Sequence, residues 1–126
     1  MLENLPPLNK DTIWQILEEK LDDDTVNKLL WYYLGYRFNA KTNSWDLSLL
    51  DSYWQELYTT PPDFIAERPP NVKLTRSIPK ENKQMLKKEL EGFKGYKIGE
   101  FGPRQARRAT IANWLLGYMK ENNLLN

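Results

Sequence analysis

Between residues 103 and about 120 the segment PRQARRATIANWLLGYMK has few places to lie in a folded chain. Proline directly after Gly102 opens a helix, since its missing N–H costs nothing at a first helical position. On a helical wheel Ala106, Ala109, Thr110, Asn113 and Gly117 share one arc of small side chains. Ile111, Ala112, Leu115, Leu116, Tyr118 and Met119 take much of the remaining circumference. A helix that is apolar almost all round is a buried helix. We expect this segment at the centre of the fold, with another stretch of backbone seated on its small arc.

The rest of a 126-residue chain must be arranged round it, which is enough for a single domain with one modest core. Asn9 can cap a helix over 10–21 that carries Ile13, Ile16, Leu17 and Leu21 on one side. After Asp22, Asp23 and Asp24, apolar residues recur at Val26, Leu29, Leu30, Tyr33 and Leu34. That is helical spacing, with Asp24 as the simplest N-cap and Gly35 placed for a glycine C-cap. The run YRFNAKTNSWD (36–46) predicts a small hairpin or ordered loop, and a short helix follows over 49–58.

Two Pro-Pro pairs bracket DFIAER, which predicts an extended strap over 59–70, laid on the core through Phe64 and Ile65. Pro79 predicts a further helix over 79–90, with Met85, Leu86 and Leu90 inward and Lys80, Lys83 and Lys87 on one outer face. Glycines at 92, 95, 99 and 102 then punctuate a loop or one short strand. The fold class is mainly α: a compact, single-domain, bundle-like fold over 1–126 with a Pro-rich strap and one small β-hairpin.

The chain has no His and no Cys, which removes thiol nucleophiles, Ser-His-Asp triads, disulfides, Cys/His zinc sites and a histidine switch. The acidic, proline-broken start MLENLPPLNKD is unlike a signal peptide, and no apolar run approaches the roughly 18 residues of a membrane span. Both observations predict an intracellular, cytoplasmic protein. The near-neutral total hides an asymmetry: residues 1–63 hold five basic and eleven acidic side chains, residues 64–126 thirteen basic and six acidic. Either the two halves neutralise each other, or the basic half faces an anionic partner.

Arg104, Arg107 and Arg108 sharpen that alternative, because they fall in the first two turns of the last helix. Unpaired backbone N–H groups already make that end positive, so three cations there require an anion nearby. One reading supplies a phosphate, a nucleic-acid backbone or an acidic partner, gripped also by Lys94 and Lys97 from the preceding loop. The other supplies carboxylates from within, such as Asp22, Asp23, Glu18 or Glu100, and internal pairing is common. Lys80, Lys83 and Lys87 could extend a basic track for nucleic acid, with Phe93, Tyr96 and Phe101 as stacking rings. The blander reading is a solvated helix face with the rings turned inward.

GFKG at 92–95 has the G-x-x-G form of a backbone clamp but lacks its helix spacing, so it reads as a helix C-cap. The glycine series fits no nucleotide-binding pattern, and the three consecutive aspartates lack the spacing of a calcium loop. No catalytic residue, metal ligand or cofactor is implied. Most of the five Trp and seven Tyr belong to the core; Tyr32, Tyr36 and Trp54 are the exceptions expected to keep a face for a ligand.

TVNKLLWYYLGYRF (25–38), PPDFIAERP (61–69), KLTRSIPKENKQ (73–84), GFKGYKIGEFGPR (92–104) and ANWLLGY (112–118) together resemble an uncharacterised family of small proteins from cyanobacteria and plant plastids, a domain of unknown function. The resemblance implies a cytosolic or stromal setting and transfers no activity or cofactor. Three functional readings follow from the residues. The leading one is a non-catalytic module that docks an acidic protein or complex through Lys94, Lys97, Arg104, Arg107 and Arg108. The second is RNA or DNA binding over that surface extended by Lys80, Lys83 and Lys87. The third is an enzyme acting on a small phosphorylated or carboxylated substrate.

Overall fold

The computed structural model describes residues 5–93 and 102–125. Their elements are α1 (Lys10–Leu17), α2 (Asp23–Leu34), β1 (Arg37–Asn39), β2 (Ser44–Asp46), α3 (Ser52–Leu57), α4 (Arg68–Ser77), a 3-10 turn (Lys80–Asn82), α5 (Met85–Glu89) and α6 (Pro103–Glu121). As its composition predicts, α6 is central, packing against α1, α2, α4, α5 and the 3-10 turn. Ile111, Ala112, Leu115 and Leu116 on α6 are fully buried beside Ile13 and Ile16 of α1 and Val26, Leu29 and Leu30 of α2. No helix of the described residues is long and apolar enough to cross a membrane.

The caps explain where the first two helices begin. Asn9 accepts from the Thr12 N–H at 2.9 Å and starts α1. That helix stops at Leu17, earlier than expected, and Glu19 takes a positive φ of 59° in the turn that follows. Asp22, not Asp24, caps α2 by accepting from Thr25 N–H at 2.8 Å. Asp24 instead pairs with Lys28 one turn on, at 2.8 Å. Gly35 ends α2 at φ 120°, a conformation that side chains disfavour. The hairpin pairs Arg37 with Asp46, Phe38 with Trp45 and Asn39 with Ser44. Its Trp45 ring meets Trp31, Tyr36 and Phe38 edge-on.

The strap crosses the core as expected, and side chains of α2 satisfy part of its polar backbone. Trp31 Nε1 donates to the Pro62 carbonyl at 2.8 Å, and Asn27 accepts from Phe64 N–H while donating to Asp63, each at 2.9 Å. Phe64 and Ile65 are thereby held in the core with no exposure. The strap is shorter than predicted, because Arg68 already begins α4, with Pro69 and Pro70 in its first turn, where proline is tolerated. The helix α4 as a whole was not predicted from sequence.

The predicted helix over 79–90 is broken into the 3-10 turn and α5, and Asn113 on α6 is the cause. In an unbroken helix the Leu86 N–H would donate to the Asn82 carbonyl. Here the Asn113 amide stands between them, accepting from Leu86 N–H at 3.2 Å and donating to Asn82 O at 2.9 Å. A side chain inserted in the ladder splits the helix. Lys80, Lys83 and Lys87 consequently do not share one helical face. The small arc of α6 receives the 3-10 turn at close range through a side chain and not through the expected backbone: a Cβ on Gly117 would come within 3.2 Å of Asn82 Nδ2.

Two substitutions test these local arguments. Gly35→Ala combines a strained φ with a collision against the Leu49 carbonyl, and should lower stability by about 2–4 kcal/mol in denaturant unfolding. Asp63 is a pH probe for the strap. Burial pushes its carboxyl up, but bonds from Ala66 N–H, Asn27 and Ile65 N–H outweigh this and hold it below the ordinary carboxylate value. It therefore stabilises the fold above the unfolded-chain value of about 3.9, and that stabilisation is lost as pH falls through the lower folded value. Asp63→Asn should be less stable than the parent at neutral pH, and unfolding curves of the two should converge in acid.

Candidate functional site

The helix α6 turns Arg104 and Arg108 toward Asp23 and Arg107 toward the strap. Arg108 is buried, 1% exposed. Its Nη1 lies 2.7 Å from Asp23 Oδ1, its Nε donates to the Ile16 carbonyl at 3.0 Å, and its Nη2 donates to the Leu21 carbonyl at 2.6 Å. Arg104, one turn earlier and half exposed, grips both oxygens of Asp23 at 2.6 and 2.7 Å and reaches Glu19 at 3.3 Å. Bonding to Asp23 and its charge together raise the Arg104 pKa further above its ordinary value. The anions that this end of α6 demands are thus supplied by Glu19 in the turn after α1 and by Asp23 at the start of α2. Around the shallow depression there, Glu19, Asp22, Asp23 and Asp24 accompany Arg104 and Arg108, so carboxylates outnumber guanidiniums.

Each of the three consecutive aspartates has its own duty: Asp22 caps α2, Asp23 clasps the arginines and Asp24 pairs with Lys28. The bonds from Thr25 hold the Asp22 carboxyl below its usual range. Among the described residues no cluster of three or more acidic side chains is arranged to hold a metal ion. Arg107 differs from its neighbours. Its Nη1 donates to the Ile65 and Ala66 carbonyls at 2.9 and 3.4 Å, and among the described residues it has no carboxylate partner. Lys94 and Lys97 lie outside the described residues.

Lys80, Lys83, Lys87 and Lys88 are exposed. Lys83 Nζ donates to the Thr75 carbonyl at 2.6 Å, tying the segment after the 3-10 turn to the end of α4. Lys80 and Lys87 have no carboxylate within ion-pairing distance among the described residues. Of the aromatics expected to keep a free face, two are core residues: Tyr36 is fully buried and Trp54 is 3% exposed. Burial, then the neighbouring Tyr58, pushes the Tyr36 hydroxyl up to about 12. Tyr32 is half-buried, with the Arg37 guanidinium 3.8 Å over its ring.

Trp54 nonetheless lines a concavity, together with aromatic rings that were not expected there. A groove of about 710 Å³ opens between α2, the start of α3, the end of α4 and α6. Trp114 stacks on Tyr118 with centroids 5.8 Å apart, and Tyr33 leans on Tyr118 at 5.0 Å. Arg76, Asp51 and Glu121 stand at the same groove. Sequence reasoning passed over Trp114 and Tyr118 because α6 looked buried all round. Their spacing, four residues apart beside Glu121 and Asn122, was the available sign of a partly open face.

The clasp makes a graded prediction. Arg108→Met removes a buried cation and takes the donor from the Leu21 carbonyl and the partner from Asp23, and Asp23→Ala leaves that cation without its carboxylate, so each should cost about 3 kcal/mol in denaturant unfolding. The double variant should fall short of the sum by about 1 kcal/mol or more. Arg104→Ala, at the exposed end, should cost less than about 1 kcal/mol.

A solved structure described as "Solution NMR structure of the protein" is similar to this chain, at 47% sequence identity and a TM-score of 0.79, over 91% of this chain and 95% of that one. No curated protein matches. The family model described as "Domain of unknown function (DUF1823)" matches residues 7–120. The chain belongs to that family of uncharacterised domains.

Proposed function

We propose that this protein is a non-catalytic interaction module that docks an acidic protein or complex through a basic face along α4, the 3-10 turn and α5. One observation carries the reading. Residues 68–88 hold Arg68, Lys73, Arg76, Lys80, Lys83, Lys87 and Lys88 against the single acid Glu81. None of these cations has an ion-pair partner among the described residues. Lys83 is held by a carbonyl, and Lys73 lies 5.9 Å from the Tyr58 ring centroid. Arg107, bonded to strap carbonyls just before α4, extends the positive surface toward Arg68.

Like charges gathered without counter-charges repel one another, and an anionic partner relieves that repulsion and is steered toward it. Arg104 and Arg108, neutralised by Asp23 and Glu19, contribute little to such a field. Lys94 and Lys97 remain in the proposal as neighbours in sequence of α6, and the reading does not rest on them. Nucleic acid would draw on the same cations and forms the competing outcome of the test. A cytosolic or stromal setting rests on the sequence resemblance alone.

Affinity capture from a native lysate, with and without nuclease, should recover an acidic partner that survives nuclease and dissociates as salt rises. The triple variant Lys80→Ala, Lys83→Ala, Lys87→Ala should bind it roughly tenfold more weakly, while Arg104→Ala binds as the parent does. Undiminished capture by the triple variant would sink the reading. Capture abolished by nuclease, with a steep salt slope on mixed RNA and DNA probes, would replace it with nucleic-acid binding.

A further inference from the structure

The groove beside the basic face has a chemistry of its own. Its volume, about 710 Å³, is in the range that holds a small ligand or the side chains of a short peptide. Trp114, Tyr118 and Tyr33 give it an aromatic wall. The Trp114 Nε1–H and the Tyr33 and Tyr118 hydroxyls have no hydrogen-bond partner among the described residues, although every fully buried polar side-chain atom there has one. Burial, reinforced by Tyr32 and Tyr118, raises the Tyr33 pKa above the ordinary tyrosine value, which already keeps the hydroxyl protonated at neutral pH. The wall offers flat apolar area with donors at its edges, which suits an apolar or aromatic side chain carried on a peptide backbone.

The charges decide what kind of peptide. Arg76 belongs both to the groove and to the basic face, so the two surfaces are continuous. Asp51 and Glu121 also line the groove, and neither pairs with Arg76 or with any other cation among the described residues. Asp51 precedes α3 without making a side-chain cap bond, and its carboxylate is therefore uncommitted. A uniformly acidic chain would be drawn to Arg76 and the lysines but repelled by Asp51 and Glu121. The matching ligand has its charges segregated.

We propose that the groove seats the apolar anchor of a linear peptide whose acidic stretch lies along the basic face and whose residues beyond the anchor bring a cation toward Asp51 and Glu121. The proposal rests on the docking reading above and deepens it by specifying the partner segment: acidic, then apolar, then basic. Electrostatics would set its orientation and rate of encounter, while the anchor would set how slowly it leaves.

The test uses the full chain labelled with ¹⁵N and short acetylated, amidated peptides. The first has an acidic run, Phe-Leu and two lysines; the second has Ala-Ala in place of Phe-Leu; the third has two glutamates in place of the lysines. The first should shift the indole N–H resonance of Trp114, assigned by its loss in Trp114→Phe, and bind roughly tenfold more tightly than either other peptide. Glu121→Lys should reverse the preference between the first and third peptides. That exposed substitution, along with Tyr33→Phe, keeps the test open should Trp114→Phe fail to fold.

Equal, salt-sensitive binding of the first two peptides with the Trp114 resonance unmoved would overturn the groove proposal and leave the docking reading standing. A Trp114 shift that depends on Phe-Leu but is indifferent to Lys80→Ala, Lys83→Ala, Lys87→Ala would support the apolar seat and overturn the docking reading on which the acidic stretch depends.

Discussion

The buried guanidinium of Arg108 is the interaction on which the other packing depends. It joins α6 to the last turn of α1 through Ile16, to the following loop through Leu21, and to the start of α2 through Asp23. Taking a charge out of water costs several kcal/mol, while hydrogen bonds to charged groups return about 1.5–3 kcal/mol each. The net contribution to stability is consequently modest, and the larger effect is on register. A slip of one residue along α6 turns a side chain by about 100°, carrying the guanidinium away from all three acceptors. Apolar contacts alone would tolerate that slip, because α6 is greasy on most sides. A single permitted rotation also fixes which face presents Asn113 to the 3-10 turn and which presents Trp114 and Tyr118 to the groove.

Amide side chains perform the complementary task of holding segments that are not regular helix. Asn27 pins the strap, Asn71 joins the Phe64 carbonyl to the Arg107 carbonyl through one NH₂ group, and Asn113 divides the 3-10 turn from α5. All three are buried, as is Asn82, which accepts from Lys120 at 2.9 Å. An irregular backbone inside a core needs partners for each N–H and C=O, and asparagine supplies a donor and an acceptor on a short stem. The groove follows from this arrangement, since the break between the 3-10 turn and α5 is what leaves Asn82 and Pro79 beside Gly117 and Trp114.

Local patterning made α1, α2, the hairpin, the strap and α6 readable, because each is announced by a cap, a proline, a turn cluster or an apolar period close by in sequence. Features decided by distant partners were less accessible. The helix over 79–90 looks continuous until Asn113, far along the chain, intrudes on it. The helix α4 begins with two prolines that resemble the end of an extended segment. The basic cluster on α6 was easy to see, yet its meaning turned on whether Asp23 or a second molecule supplied the anion, and sequence spacing carries no information on that pairing. The groove was hidden for a similar reason: burial round a helix varies along its length, and a wheel projection averages it away.

The central position of α6 has a bearing on how the chain is made. This helix follows in sequence every element it packs against, so during synthesis α1, α2, α4 and α5 emerge before the surface they are built to cover. Domains generally fold as units, and here the unit closes only once Ile111, Leu115 and Leu116 have left the ribosome. Until then the apolar stripes of α1 and α2 face water or one another, and exposure of apolar surface is concentrated in that interval.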